Sequence, residues 1–222
     1  SSHTLLQLLA TNQLDVALVQ ETTGFPQSVP SGVERRVLVA CEPRFVALAV
    51  THPAASRSAV PLAALADDPW IVDPAADDEA ASLRRAFLTA GLDPRLVQVR
   101  DTTTAGELVA SGEAVRLCQP TTEATAGTVV RPIEGDPLTC RLSFASRPGA
   151  LPLRDLDALF TDLLGAYLDL ARTNAAYRAW LGRNGSPLLP LGAWPPGAAG
   201  AARRSGCAAG KRKAEEANGP CP

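Results

Sequence analysis

An α/β fold is the class this sequence predicts, and three observations predict it. Between Trp70 and Cys118 short apolar strand patterns alternate with helical ones, a leucine-rich helical run near the start feeds an apolar strand from Leu14 to Val19, and one apolar helical stripe runs from Asp155 to about Arg183. Strand, helix, strand, helix, strand in that order is the signature of a sheet covered by helices.

The chain opens on a helix over Thr4 to Thr11, with Leu5, Leu6, Leu8 and Leu9 at helical spacing and Asn12 and Gln13 closing it. The buried strand that follows ends in Gln20, Glu21, Thr22 and Thr23, polar side chains at a sheet end, which is where ligands sit in open α/β sheets. Pro26, Ser28, Pro30 and Ser31 make the next stretch a surface loop. The apolar passage from Val37 to Val50 exceeds an ordinary strand of about 3 to 10 residues, so two strands are expected, Val33 to Cys41 and Phe45 to Val50, with the break at Glu42-Pro43.

Beyond Thr51-His52-Pro53, Pro61 to Leu65 predicts a single helical turn with Pro at its start, and Trp70 to Val72 a short buried strand. A helix over Asp77 to Gly91 places Leu83, Phe87 and Leu88 on one apolar face and Asp77, Asp78 and Glu79 at its positive end. A strand at Arg95 to Arg100, a helix at Ala105 to Ser111 preceded by Thr102, Thr103 and Thr104, and strands at Ala114 to Cys118, Thr128 to Ile133 and Leu138 to Ser146 follow. The last helix aligns Leu156, Leu159, Phe160, Leu163, Leu164, Tyr167, Leu168 and Ala171. Residues 184–222 turn to Gly, Pro and Ala without an apolar face, so a disordered tail is expected.

At 222 residues and 46% hydrophobic, the chain can build a real core. Its charge of −2 is uneven: five basic against two acidic residues after Arg183 make that tail +3, which leaves −5 on the rest. An acidic body is a poor match for a phosphate backbone, so it is not expected to grip nucleic acid by itself. No run approaches the roughly 18 apolar residues that cross a bilayer, and no signal segment opens the chain, so no membrane contact and a cytoplasmic location are expected.

Five cysteines at irregular spacing, Cys41, Cys118, Cys140, Cys207 and Cys221, argue against a disulfide framework or a zinc site and read as buried thiols. His3 and His52 are the only histidines, and neither a Gly-x-Ser-x-Gly elbow nor a phosphate loop occurs. His52 with Cys118 is the one nucleophile pair available, with nothing to position a third group, so no enzyme and no cofactor are expected.

Four stretches in order carry a family resemblance. They are Leu14 to Val19 after its leucine-rich helix, Phe45 to Pro53, Pro61 to Val72, and Glu107 to Val115. Over roughly Thr4 to Pro148 the chain resembles the effector-binding domain of LysR-type transcriptional regulators. The resemblance implies a two-lobed, periplasmic-binding-protein-like (type 2) fold with crossover strands, holding a small effector, expected to be anionic, between lobes. Residues 1–183 would form this domain, with lobe I at about 1–45 and 140–183 and lobe II at about 50–139.

Such regulators also carry a winged helix-turn-helix, a linker helix and further first-lobe elements ahead of the stretch matched here. The expectation is therefore of a first lobe incomplete at its N-terminus, of DNA contact only through a domain missing from this chain, and of a homo-oligomer. A stand-alone solute-binding protein and a non-functional truncated regulator are the alternatives.

Within that fold, loops at strand ends and exposed helix N-termini line the cleft, and free N–H groups there favour carboxylates. The candidate effector-binding residues are Thr102, Thr103 and Thr104 at a helix start, Gln119, Thr121 and Thr122 after a strand, Thr22 and Thr23 from lobe I, and Thr51 at the crossover.

Overall fold

The structure, a computed structural model, describes residues 1–185. It contains two sheets. The first has three strands, β1 (Val16–Thr22), β2 (Glu34–Pro43) and β8 (Thr139–Ser146), with β8 in the middle and antiparallel to both neighbours. The second has five, in the order β5 (Arg95–Gln98), β4 (Pro69–Val72), β6 (Val115–Cys118), β3 (Phe45–Ala49), β7 (Thr128–Pro132). In it β4 runs parallel to β5 and β6, while β3 is antiparallel to β6 and β7.

Helix α1 (Ser2–Ala10) leads into β1, and the Ser1 hydroxyl caps it by accepting from the Thr4 amide. Leu6 and Leu9 are buried against β1 with Val19 and Ala145. The strand begins and ends two to three residues later than the sequence pattern predicts, so Gln20 to Thr22 lie inside it. Of its residues only Val19 is buried, against the expectation of a buried strand, because β1 has a strand on one side only among the described residues.

The second sheet follows the predicted alternation. Helix α2 (Glu79–Thr89) links β4 to β5, and α3 (Thr102–Ala110) links β5 to β6. Leu83, Ala86 and Phe87 of α2 are buried on the sheet, with Phe87 edge-on to Trp70 at a ring separation of 5.4 Å. Full burial of a side chain of this size contributes about 1.5–3 kcal/mol. Leu88, assigned to the same face from spacing, is 63% exposed. Asp78 precedes α2 in a left-handed conformation without capping it through its side chain, and Asp77 instead accepts from the His3 amide and from Gln27.

Strand β2 runs through Glu42 and Pro43, contrary to the break expected there; the chain leaves it at Arg44 and enters β3 at Phe45. Two register shifts against β8, at Val37/Val39 and Val39/Glu42, mark bulges, which bend and twist a strand. Cys118 and Cys140 are buried free thiols as expected, whereas Cys41 is disulfide-bonded, which corrects the thiol reading for that residue.

The long helix expected from Asp155 to Arg183 is two helices, α4 (Leu153–Thr173) and α5 (Ala175–Asn184). Asn174 between them is extended (φ −74°, ψ 111°), and its side chain accepts from the Tyr177 amide at 3.0 Å as the N-cap of α5. Its side-chain nitrogen also donates to the Thr122 carbonyl at 3.0 Å, which ties this corner to the loop that follows β6. The periodic pattern continued across Asn174 because α5 also buries one face, Tyr177, Trp180 and Leu181. Leu159 on α4 faces outward at 38% exposed, contrary to its assignment to the packed stripe. Beyond Gly185, the expected disordered tail lies outside the described residues.

Replacing Asn174 by Ala removes the cap and the Thr122 bond together, and the expected loss is about 1–2 kcal/mol. Urea unfolding measures it; Asn174→Ser should recover the capping share. No loss in Asn174→Ala would contradict the role assigned to this corner.

Candidate functional site

Arg44 stands where the chain passes from one sheet to the other, and its side chain is only 13% exposed. One Nη donates to Gln20 Oε1 of β1 at 3.3 Å, and the other to Glu79 Oε2 of α2 at 3.4 Å. Glu79 Oε1 accepts from the Asp73 amide, also at 3.4 Å. Burial lifts the Glu79 carboxyl above its ordinary value, against the attraction of Arg44, the Asp73 amide and Arg116, all of which favour its charged form.

Two cavities meet at this pair. One, of about 190 Å³, is lined by Gln20 and Thr22 of β1, Thr139 and Cys140 of β8, and Asp77 and Ser82 from the α2 side. The other, of about 300 Å³, opens at the carboxyl ends of β4, β5 and β6, with Asp73, Arg100, Asp101, Thr102, Arg116, Gln119 and Thr122 around it. Arg44, Ala76, Glu79 and Leu117 line both. Carboxyl ends of parallel strands are the usual ligand position in open α/β sheets, since the strand order leaves a crevice there.

Contacts between the sheets close the rims. Arg85 of α2 donates to the carbonyls of Thr23 (2.5 Å) and Gly24 (3.4 Å) and lies 4.5 Å over the Phe25 ring. Gln119 donates to Gln20 Oε1 at 3.5 Å across the gap.

The sequence candidates divide accordingly. Thr22, Thr102, Gln119 and Thr122 line the two cavities. Thr23 is engaged through its hydroxyl, which accepts from Thr139 at 2.7 Å, and does not line them. Thr104 is spent on capping: the α3 N-cap is Asp101, whose carboxylate accepts from the Thr104 amide and hydroxyl, both at 2.7 Å. Thr103 and Thr121 line neither cavity. Thr51 borders a separate open hollow of about 410 Å³ with His52, Asp68 and Gly112.

The bond from the Thr104 amide holds the Asp101 carboxylate below its ordinary range. An anion already occupies the α3 N-terminus, so a second anion there would be repelled rather than drawn in. The charged residues that do converge, Arg44, Glu79 and Arg116, were absent from the sequence-based set. A signal was available for two of them: Arg116 is the one charge in the apolar run Ala114 to Cys118, and Arg44 stands between Pro43 and the apolar run Phe45 to Val50.

The one nucleophile pair the sequence offered, His52 with Cys118, does not assemble. His52 Nε2 lies 3.1 Å from Asp68 and its Nδ1 accepts from the Ala54 amide at 3.0 Å, whereas Cys118 lines the second cavity. Burial pushes the Cys118 thiol up to about 12, the reverse of what an attacking thiolate needs.

Glu42, two residues before Arg44, is fully buried. Tyr167 of α4 donates to its Oε1 at 2.9 Å, Cys140 to its Oε2 at 3.4 Å, and the Tyr177 hydroxyl lies 2.5 Å from that of Tyr167. Burial raises the Glu42 carboxyl, outweighing the bonds from Tyr167 and Cys140 and the attraction of Arg44.

Two sheets joined through Arg44, with a cleft between them at parallel strand ends, define a two-lobed fold of the periplasmic-binding-protein type. The chain belongs to the LysR family: residues 1–167 match its LysR substrate binding domain. It is similar to the small neutral protease regulatory protein of Streptomyces coelicolor strain A3(2), at 45% identity over 190 residues, covering 86% of this chain and 56% of that protein. The Streptomyces lividans protein of that name is 44% identical over 190 residues, with 86% and 54% covered. The chain therefore spans about half the length of the curated relatives it matches.

Solved structures share the fold. A Corynebacterium glutamicum OxyR mutant aligns with TM-score 0.64 at 20% identity, over 79% of this chain and 55% of that one. The Synechocystis CcmR regulatory domain in complex with 2-PG aligns with TM-score 0.56 at 17% identity, over 75% and 79%. Among the described residues no helix is long and apolar enough to cross a membrane.

A carboxyl whose pKa is raised by folding binds more protons in the folded state. The stability it contributes is full below the ordinary value of 4.5 and is lost as pH rises through the raised value. Glu42→Gln cannot lose that proton, so its stability relative to the unsubstituted chain should increase from about pH 4 to about pH 7 in urea unfolding. A difference that stays constant with pH would contradict a raised carboxyl at Glu42.

Proposed function

We propose that this chain is the ligand-sensing part of a LysR-type transcriptional regulator, and that it holds a small carboxylate-bearing metabolite between its two lobes, divided at Arg44. The observation that supports this reading is the convergence of Arg44 and Arg116 on adjoining cavities between the two sheets. Thr22, Thr102, Gln119 and Thr122 are the sequence-predicted residues proposed to contact the ligand, because they line those cavities. Occupancy would bias the angle between lobes, and a ligand shifts such an equilibrium by its differential affinity for the two arrangements.

In this reading the regulator acts as a homo-oligomer, DNA is read by another part of it, and this domain reports metabolite level. The relatives named as protease regulators support a protease gene as the controlled target. Shikimate, the ligand named with the QuiR effector-binding domain, is small and carboxylate-bearing, in keeping with a cationic Arg44.

Thermal-shift titration with a panel of carboxylate-bearing metabolites, amino acids included, tests the reading. Arg44→Ala should weaken the best binder by about tenfold to a hundredfold, the loss expected for a charge-assisted hydrogen bond, and Thr103→Ala should leave it unchanged. The reading fails if Arg44→Ala, shown folded by circular dichroism, binds as tightly as the original.

A further inference from the structure

Resting on the reading of the cleft as the ligand site, we infer that the ligand is an α-amino acid with an apolar side chain, its carboxylate taken by Arg44 and its ammonium by Glu79. The Arg44–Glu79 pair is the partition between the two cavities, since both residues line each of them. It is also loosely made. Its N to O distance is 3.4 Å, and the further bonds of Arg44 to Gln20 and of Glu79 to the Asp73 amide are 3.3 and 3.4 Å. Well-formed charge-assisted bonds of this type measure about 2.7–2.9 Å. Both partners thus have room for a better one.

The chemistry of that better partner follows from what each residue would lose. An anion that took Arg44 away from Glu79 would leave a largely buried carboxylate without its ion-pair partner, held only by the Asp73 amide and the attraction of Arg116, with Asp73 and Asp101 on the same wall. A ligand bearing an ammonium beside its carboxylate replaces both halves of the pair at once. The two protein charges are neighbours, so the two ligand charges must be neighbours as well, as on a single α-carbon and not at the two ends of a peptide. The wall beyond Glu79 presents Ile71, Val99, Ala105 and Leu117, which suits an aliphatic side chain.

Calorimetric titration of the intact chain with L-leucine, L-valine and L-phenylalanine, against N-acetyl-L-leucine, L-leucinamide and 4-methylpentanoate, tests the assignment. At least one amino acid should bind, and loss of either charge should weaken binding about tenfold or more. Glu79→Gln should weaken the amino acid by a similar factor and leave 4-methylpentanoate as tight or tighter. If the N-acetyl compound or 4-methylpentanoate binds the original chain as well as the amino acid does, the inference is overturned while the cleft remains the ligand site. If none of the probes binds, the inference is overturned. If Glu79→Gln is without effect on a bound amino acid, it is overturned too.

Discussion

The passage of the chain from one sheet to the other at Arg44 is the constraint on which the rest depends. Pro43 is the last residue of β2 and Phe45 the first of β3, so a single residue separates two hydrogen-bonded strands in different sheets. Phe45 is held in the second sheet by Cys118 and Pro132 and packs edge-on to Tyr177 at a ring separation of 6.0 Å. Arg44 is only 13% exposed, and it lines the cleft on both sides. There it needs a counter-charge, because removing one partner of a buried ion pair costs about 3–5 kcal/mol. Glu79, the first residue of α2, meets that need and ties the second lobe's helix to the crossover.

Glu42 works from the other side of the crossover. A carboxyl that is fully buried yet hydrogen-bonded by Tyr167 and Cys140 avoids the cost of an unsatisfied polar group. It also fixes α4 to the end of β2, and through Tyr177 it reaches α5. That helix contacts the second lobe as well, where Trp180 donates to Asp136 at 3.0 and 3.1 Å. Asn174 and α5 therefore strap both lobes behind the crossover, and any change in lobe angle must be accommodated by this strap.

The elements with strong periodicity were legible in the sequence: the strand and helix alternation from Trp70 to Cys118 is present with boundaries shifted by a few residues. What local pattern could not show was set by tertiary contacts. The helical pattern from Asp155 to Arg183 reads as one helix because both halves bury a face, and the corner is set at Asn174, which caps α5 and bonds to Thr122. Similarly, Thr102, Thr103 and Thr104 look like a ligand-facing cap until Asp101 is seen to take the capping role. Arg44 and Glu79 are 35 residues apart, a pairing that spacing does not express.

A crystal structure of the chain with a bound apolar α-amino acid tests the central claim most directly. The expected result is the ligand carboxylate on Arg44, its ammonium on Glu79, the direct bond between those two residues broken, and the two cavities joined into one. A ligand seated elsewhere, with the Arg44–Glu79 pair intact, would contradict it.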